Sequence, residues 1–402
     1  ARLYVSRQAP VGGAAAAHTL NDASAGPSLT VEAKGVGAYG NDLTVAVLAP
    51  SGAYQIQVAY QGGVIETSPP LQTVSDAVVW GDGAASVSIV AAGTNPPATV
   101  SATALAGGTD GTYADQGVLD ALAFFPAALG PGQVSAPGRT TATVHAAVNA
   151  HALANNRVAL NDATDTADVA ALAAGADADR TGTDQDHAGG LFAPWAVIGG
   201  IAAGTTRQVP WSAIQAGLYA YNESAGASVA QPAAGPIFGV SRTALALTQT
   251  FSDADRDALT TAGVNTARAD LGVIESYGSR TLVDADQFPE WRELAQWRLI
   301  TAISAEADAI AEDHVFAILD GRRHEISAFG GELTAMLIPY YDQGALYGET
   351  PQEAFRVDVG SAVNTEATIA NGELHAVIGI RCSHMAELVF IEIVKVETTQ
   401  AL

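Results

Sequence analysis

Cysteine occurs once, at Cys382, in a chain of 402 residues. No intrachain disulfide can form, and the lone thiol reads as a buried, inert side chain. Lysine occurs twice, so arginine supplies almost all the positive charge. These 18 cations face 42 acids, a formal charge of −24, which argues against nucleic acid or an anionic membrane as main partner. Charged residues are scarce altogether, at 15% against about a quarter in ordinary domains. Such a chain can hide much of its surface in an assembly. No apolar run reaches the length of a membrane span, and the opening ARLYVSRQAP has no signal-peptide core. The first residue is not methionine, so the chain reads as processed or as part of something longer.

Signatures of chemistry are missing too. No two histidines stand at the three- or four-residue spacing of helical metal ligands, and neither H-E-x-x-H nor G-x-S-x-G occurs. GVGAYGN (Gly35–Asn41) lacks the Lys-Ser/Thr of a phosphate loop and reads as a turn. SDADRDAL spaces Asp253, Asp255 and Asp257 as a Ca²⁺ loop would, but Ala258 stands where that loop needs glycine. Ser252 as a helix N-cap with acids in the first turn is the favoured reading. Asp162, Asp165 and Asp168 follow a short strand, where many α/β enzymes hold carboxylates. Turn and cap roles are again favoured. No catalytic set, metal or cofactor is expected.

What is present is a sequence of styles. The length predicts two or three domains, and the 48% hydrophobic content supports packed cores. Residues 1–27 hold a short strand around Leu3, Tyr4 and Val5, then a Gly/Ala-rich connector. Residues 28–110 are β-rich: SLTVEAKG, NDLTVAVLA, YQIQVAYQ, GVIETS, SVSIVAAG and ATVSATAL alternate between turn signals. Residues 111–285 alternate helix and strand, which predicts an α/β layer on a largely parallel sheet. RVALND and LFAPWAVIGG are its apolar strands. Residues 286–402 read as α+β. A helix over Pro289–Asp313 carries a stripe of Trp291, Leu294, Trp297, Ile300, Ile303, Ala307 and Ile310, and a second helix covers about 324–341. Strands follow at Ala354–Val359, Glu373–Arg381 and Ala386–Glu397. The last is apolar on both faces through Leu388, Val389, Phe390, Ile391, Ile393, Val394 and Val396. That pattern belongs to a strand covered on both sides, and its partner is expected in its own domain or in a neighbouring subunit.

The order of motifs resembles the contractile tail sheath proteins of phages and related injection systems. TVEAKGVGAYGNDLTVAV is similar to the family's A-x-x-x-G-x-W-G-N, with Tyr39 in place of Trp. RVALND, LFAPWAVI and VPWSAIQAGLYAYNES resemble successive motifs of the central layer. LTTAGVNTARADLGVIESYGSRTL (Leu259–Leu282) is similar to the paired L-N-x-x-G-V-N and W-G-A-R-T-L. GALYGETPQEAFRVDV, NGELHAVIGI and MAELVFIEI follow in the family's order, with Met385 where Pro is usual. Family members usually carry an upstream strand-forming arm, and ARLYVSRQAP resembles the run that follows it.

The resemblance implies a β-rich N-terminal domain, a central α/β domain and a C-terminal α+β domain with an interlocking β-sheet. It implies a non-enzymatic subunit that polymerises as stacked hexameric rings wound helically around an inner tube. Contraction of that sheath drives the tube through a cell envelope. The implied partners are copies of itself, the tube protein, and baseplate and terminator proteins. The place is the virion tail, after assembly in the host cytoplasm. Leu388–Val396 would then be a strand donated to a neighbour, and Arg292, Arg298, Arg322 and Arg323 are candidates to face an acidic tube. An acidic surface-layer protein, or an α/β hydrolase-like enzyme with a site around Asp162, are the alternatives.

Overall fold

A computed structural model of the chain describes residues 2–6, 12–50, 52–200 and 204–386. It is a mixed α/β structure whose chain divides into two compact units, residues 6–121 and residues 1–5 with 122–402.

The first unit is built on alternation. Strands β1 (Ala17–Asn21), β2 (Pro27–Ala33), β3 (Leu43–Leu48), β4 (Gln55–Tyr60) and β5 (Gly63–Thr67) precede helix α1 (Val74–Gly83) and strands β6 (Val87–Ala91) and β7 (Val100–Ala104). They form two antiparallel sheets, ordered β1-β2-β6 and β5-β4-β3-β7. Leu29, Val31, Val45, Ile56, Val58 and Ile89 point from both sheets into one core. All six alternating runs are therefore strands. Helix α1 interrupts them because Thr73 caps it: the hydroxyl accepts from Asp76 N while the Asp76 carboxylate accepts from Thr73 N at 2.9 Å.

Helix α2 (Asp115–Leu122) ends the first unit, and the second opens with β8 (Gln133–Val134), α3 (Ala142–Ala154), β9 (Val158–Asp162), α4 (Val169–Asp179) and β10 (Gly189–Ala193). Then come β11 (Ala196–Gly199), β12 (Thr206–Val209), α5 (Trp211–Ser224), α6 (Gly235–Phe238), β13 (Ala244–Leu247) and α7 (Asp253–Thr261). The hairpin β14 (Val264–Asp270) and β15 (Val273–Tyr277) follows. The main sheet runs β15-β14-β10-β9-β8, parallel except for β15. Every residue of β9 and β10 is buried, as a sheet covered on both faces requires. Phe192, Val158 and Leu160 meet Trp211, Ile214 and Leu294 on one face. Leu191 and Ala193 meet Leu172, Leu259 and Leu282 on the other. LFAPWAVIGG is two strands, not one. Pro194 has no N–H to give a ladder, and the chain crosses there into a small antiparallel sheet, β12-β11-β13.

The chain continues through α8 (Leu294–Asp313), α9 (His324–Asp342), α10 (Pro351–Ala354), β16 (Phe355–Asp358), α11 (Glu366–Ala370) and β17 (Val377–Ile380). Ile326, Phe329, Leu333, Leu337 and Tyr340 are the buried side of α9, as its periodicity predicts. Helix α8 departs from its predicted stripe. Its first half is buried nearly all round, through Leu294, Ala295, Gln296, Arg298, Leu299 and Thr301, because it packs on the central layer as well as on α9. β16 and β17 pair antiparallel. Among the described residues no helix is long and apolar enough to cross a membrane.

Candidate functional site

The polar residues that stand out in the sequence tie distant motifs together. In the first unit, Gly40 sits where a Cβ would come within 2.9 Å of the Ala16 Cβ. Beside it, Asn41 grips one backbone group from both ends: Nδ2 donates to Gly108 O at 2.8 Å and Oδ1 accepts from Gly108 N at 2.9 Å. Asp110 adds an acceptor for Ala38 N at 2.8 Å. GVGAYGN is thus a turn bolted to the loop at 105–115, not a phosphate cradle.

Asp162, which ends β9, and the two acids that follow go to three separate anchors. Asp162 is 1% exposed and accepts from Ser212 N at 2.8 Å, Ser212 Oγ at 2.6 Å and Gly138 N at 3.1 Å. It holds the first turn of α5, where a carboxylate also suits the helix dipole. Burial pushes its carboxyl above the ordinary range against the pull of those donors. Asp165 accepts from Thr248 Oγ1 at 2.6 Å, and Asp168 caps α4 through Ala171 N at 3.1 Å. Ser252 and Asp255 form a reciprocal capping box on α7. These acids are structural. Among the described residues no group of three or more His, Cys, Asp or Glu could hold a metal ion.

The paired motifs at 259–282 meet through Asn265. Its Nδ2 donates to Arg280 O at 2.8 Å and to Leu191 O at 3.2 Å, while Oδ1 accepts from Arg280 N at 2.6 Å. A Cβ on Gly278 would approach that Oδ1 to 2.9 Å. The spacing of GVN and YGSRTL is therefore the spacing that lets one amide staple a hairpin to the following loop. Histidines do similar work. His145 Nδ1 meets Asp179 at 2.7 Å and Nε2 meets Arg139 O at 2.9 Å. His151 Nε2 accepts from Arg157, whose guanidinium also binds the carbonyls of Phe125, Pro126 and Gly130. His187 is stacked on Trp291 at 4.2 Å, with Trp297 edge-on at 4.3 Å, and burial keeps its pKa below the ordinary value.

The candidate contact residues fare differently. Arg298 does not face outward. It is 3% exposed, lies 3.8 Å over the Tyr219 ring, donates to Val229 O at 3.0 Å and pairs with Glu223. A packed helix face on the central layer claimed it. Arg292 is partly exposed and 3.7 Å from the Glu293 carboxylate. Arg323 donates to Asn364 O at 2.7 Å, and Arg322 is exposed. Leu3 and Val5 are 87% and 78% exposed, and Arg2–Ser6 form no strand with any described residue. The strand predicted there is not formed in the single chain, since a strand exists only with a hydrogen-bonded neighbour. Leu388, Val389, Phe390, Ile391, Ile393, Val394 and Val396 lie outside the described residues.

Sequence reasoning missed Glu293. It is 3% exposed, just before α8, and its carboxylate receives His384 Nδ1 at 2.9 Å and Met385 N at 3.3 Å. Nothing in a single Glu within PEWRELAQWR flags this, because its partners stand about ninety residues later. A groove of about 510 Å³ between the end of α5, α8 and α9 holds Glu223 and Glu306. Those carboxylates already serve Arg298 and the Tyr340 hydroxyl.

No protein-family model and no curated protein sequence matches the chain. Solved structures do. The sheath tail protein of Desulfitobacterium hafniense aligns over 86% of this chain and 75% of its own, with TM-score 0.60 and 16% identity. The sheath tail protein of Listeria innocua aligns over 92% and 81%, with TM-score 0.52 and 14% identity. A chain of the contracted sheath complex of an extracellular contractile injection system aligns over 65% and 70%, with TM-score 0.55 and 19% identity. The chain has the fold of contractile-tail sheath proteins.

Proposed function

We propose that this chain is a sheath subunit that polymerises helically around an inner tube and contracts to drive the tube through a cell envelope. The observation that carries the reading is the likeness to a sheath tail protein over 86% of the chain. The polar staples at Asn41, Asp162 and Asn265 support it, since they spend conspicuous polar residues on architecture. Subunits would associate head to tail, a contact that generates open helices when it does not close. Leu388–Val396 would add to a neighbour's sheet, so that backbone hydrogen bonds join one ring to the next. A strand apolar on both faces is an aggregation liability on a free edge and a covered internal strand once donated. Leu3–Val5, exposed in the single chain, would serve as the N-terminal counterpart.

Contraction would be a rigid-body rearrangement of domains within this strand mesh, released from a kinetically trapped extended state by a baseplate partner. No nucleotide is required. Of the candidate arginines, exposed Arg322 is the one we propose to face a tube. The test is co-expression with the tube and baseplate proteins encoded alongside it, followed by negative-stain electron microscopy. Striated tubes that shorten on triggering are expected. A chain that stays monomeric with all those partners present overturns the reading.

A further inference from the structure

After β17, the backbone from Arg381 to Ser383 runs as a short ladder against 345–347. Tyr347 N donates to Arg381 O at 2.7 Å and Ser383 N to Ala345 O at 3.0 Å, with Cys382 paired to Leu346. There the ladder ends, and the next groups are taken over by one side chain. The Glu293 carboxylate accepts from His384 Nδ1 at 2.9 Å through Oε1 and from Met385 N at 3.3 Å through Oε2. Gln296, one turn on, donates to Ser383 O at 3.4 Å and to Glu293 Oε2 at 3.3 Å. The Glu293 carboxylate is buried, whereas the His384 side chain covering it is 65% exposed. Behind Glu293 the backbone is held as well: it bridges to Arg280, Thr281 N donates to Arg292 O at 3.0 Å, and Leu294 N donates to Ser279 O at 2.9 Å.

We propose that Glu293 is the fastening of the C-terminal backbone: it holds His384 and Met385 against the start of α8. A buried carboxylate is retained only when its oxygens are well used; here His384 and Met385 N take one oxygen each, Gln296 Nε2 shares Oε2, and Arg292 lies 3.7 Å from Oε1. The consequence for assembly rests on the sheath reading. A neighbour that holds the segment beyond Met385 would act through Glu293 on α8 and on the Ser279–Thr281 turn, and so on the central layer. Glu293 is a positioning residue for that contact.

The test uses the full chain with Glu293→Gln, which keeps the shape and removes the charge, and His384→Ala, a surface change that leaves the fold intact. Amide exchange followed by mass spectrometry on the monomer should show the Met385 amide exchanging roughly ten- to hundredfold faster in Glu293→Gln, the size of a lost hydrogen bond to a charged group. Val377–Ile380 should keep their protection, and His384→Ala should shift Met385 less. Unchanged exchange at Met385 in both variants overturns the fastening. Tube assembly with the partner proteins is then compared. Shorter or fewer tubes from Glu293→Gln support the transmission of contact through Glu293, and tubes equal to wild type overturn it. If wild type forms no tubes while exchange responds as stated, the sheath reading fails and the fastening stands.

Discussion

Asp162 and the two histidines of α3 show how single side chains set the conditions for this fold. Replacing Asp162 with Ala leaves Ser212 N, Ser212 Oγ and Gly138 N without their acceptor. A loss of roughly 2–4 kcal/mol in chemical denaturation is expected. His145 and His151 respond to pH in opposite senses. For His145, burial lowers the pKa, but Asp179 and the Arg139 carbonyl overcome it and the net shift is upward. Its protonated form therefore contributes stability that is complete below the unfolded value of about 6.5 and is lost as pH rises through the folded pKa. For His151, burial and then Arg157 push the pKa down. The stability it lends as a neutral acceptor is present above about 6.5 and is lost as pH falls through the folded pKa. Thermal melts across pH 5–9 should show wild type losing its advantage over His145→Gln as pH climbs, and over His151→Ala as pH drops. Parallel curves for either pair would refute the corresponding assignment.

At the scale of elements, caps and staples decide which segments hold. Ser252→Ala removes one side of the α7 capping box and should cost about 1 kcal/mol, with the same expectation for Thr73→Ala on α1. Asn265→Ala should cost more, roughly 2–3 kcal/mol, because it abandons the Arg280 peptide from both ends at a buried site. Urea denaturation midpoints at constant slope would measure all three. Much of this level was legible. The alternating runs at 28–105 form the two antiparallel sheets together with β1, a strand inside the predicted connector; the Ser252 cap is where its chemistry places it, and the α9 stripe is the buried side. The losses have physical reasons. Helix α1 was hidden in a β-rich stretch although Thr73 and Asp76 spell a capping box. The α8 stripe was incomplete because protein surrounds its first half, so a buried Arg and Thr sit where periodicity predicts solvent. LFAPWAVIGG read as one strand because apolar composition outweighed the proline within it. Glu293 was invisible since its meaning depends on residues 383–385, and no local pattern carries a contact of that range.

At the scale of the whole molecule, the order of motifs was the informative signal, and the geometry gives its cause: Asn41 needs Gly108, Asp162 needs Ser212, and Asn265 needs Arg280. Each pair ties residues far apart in the chain, and the fold is shared with solved structures at 14–19% identity. Among the described residues, the five-stranded sheet and the clusters on its two faces draw on residues 133–294. In the sheath reading proposed above, Leu388–Val396, apolar at odd and even positions alike, is a strand covered by a neighbour's sheet. Truncation at Glu387 should therefore give a soluble chain with a cooperative melt and a monomer's sedimentation coefficient that no longer builds sheaths when the tube and baseplate proteins are supplied. Sheaths of normal length from that variant would show that the strand is not donated. Loss of the cooperative melt would show that it belongs to its own subunit's core.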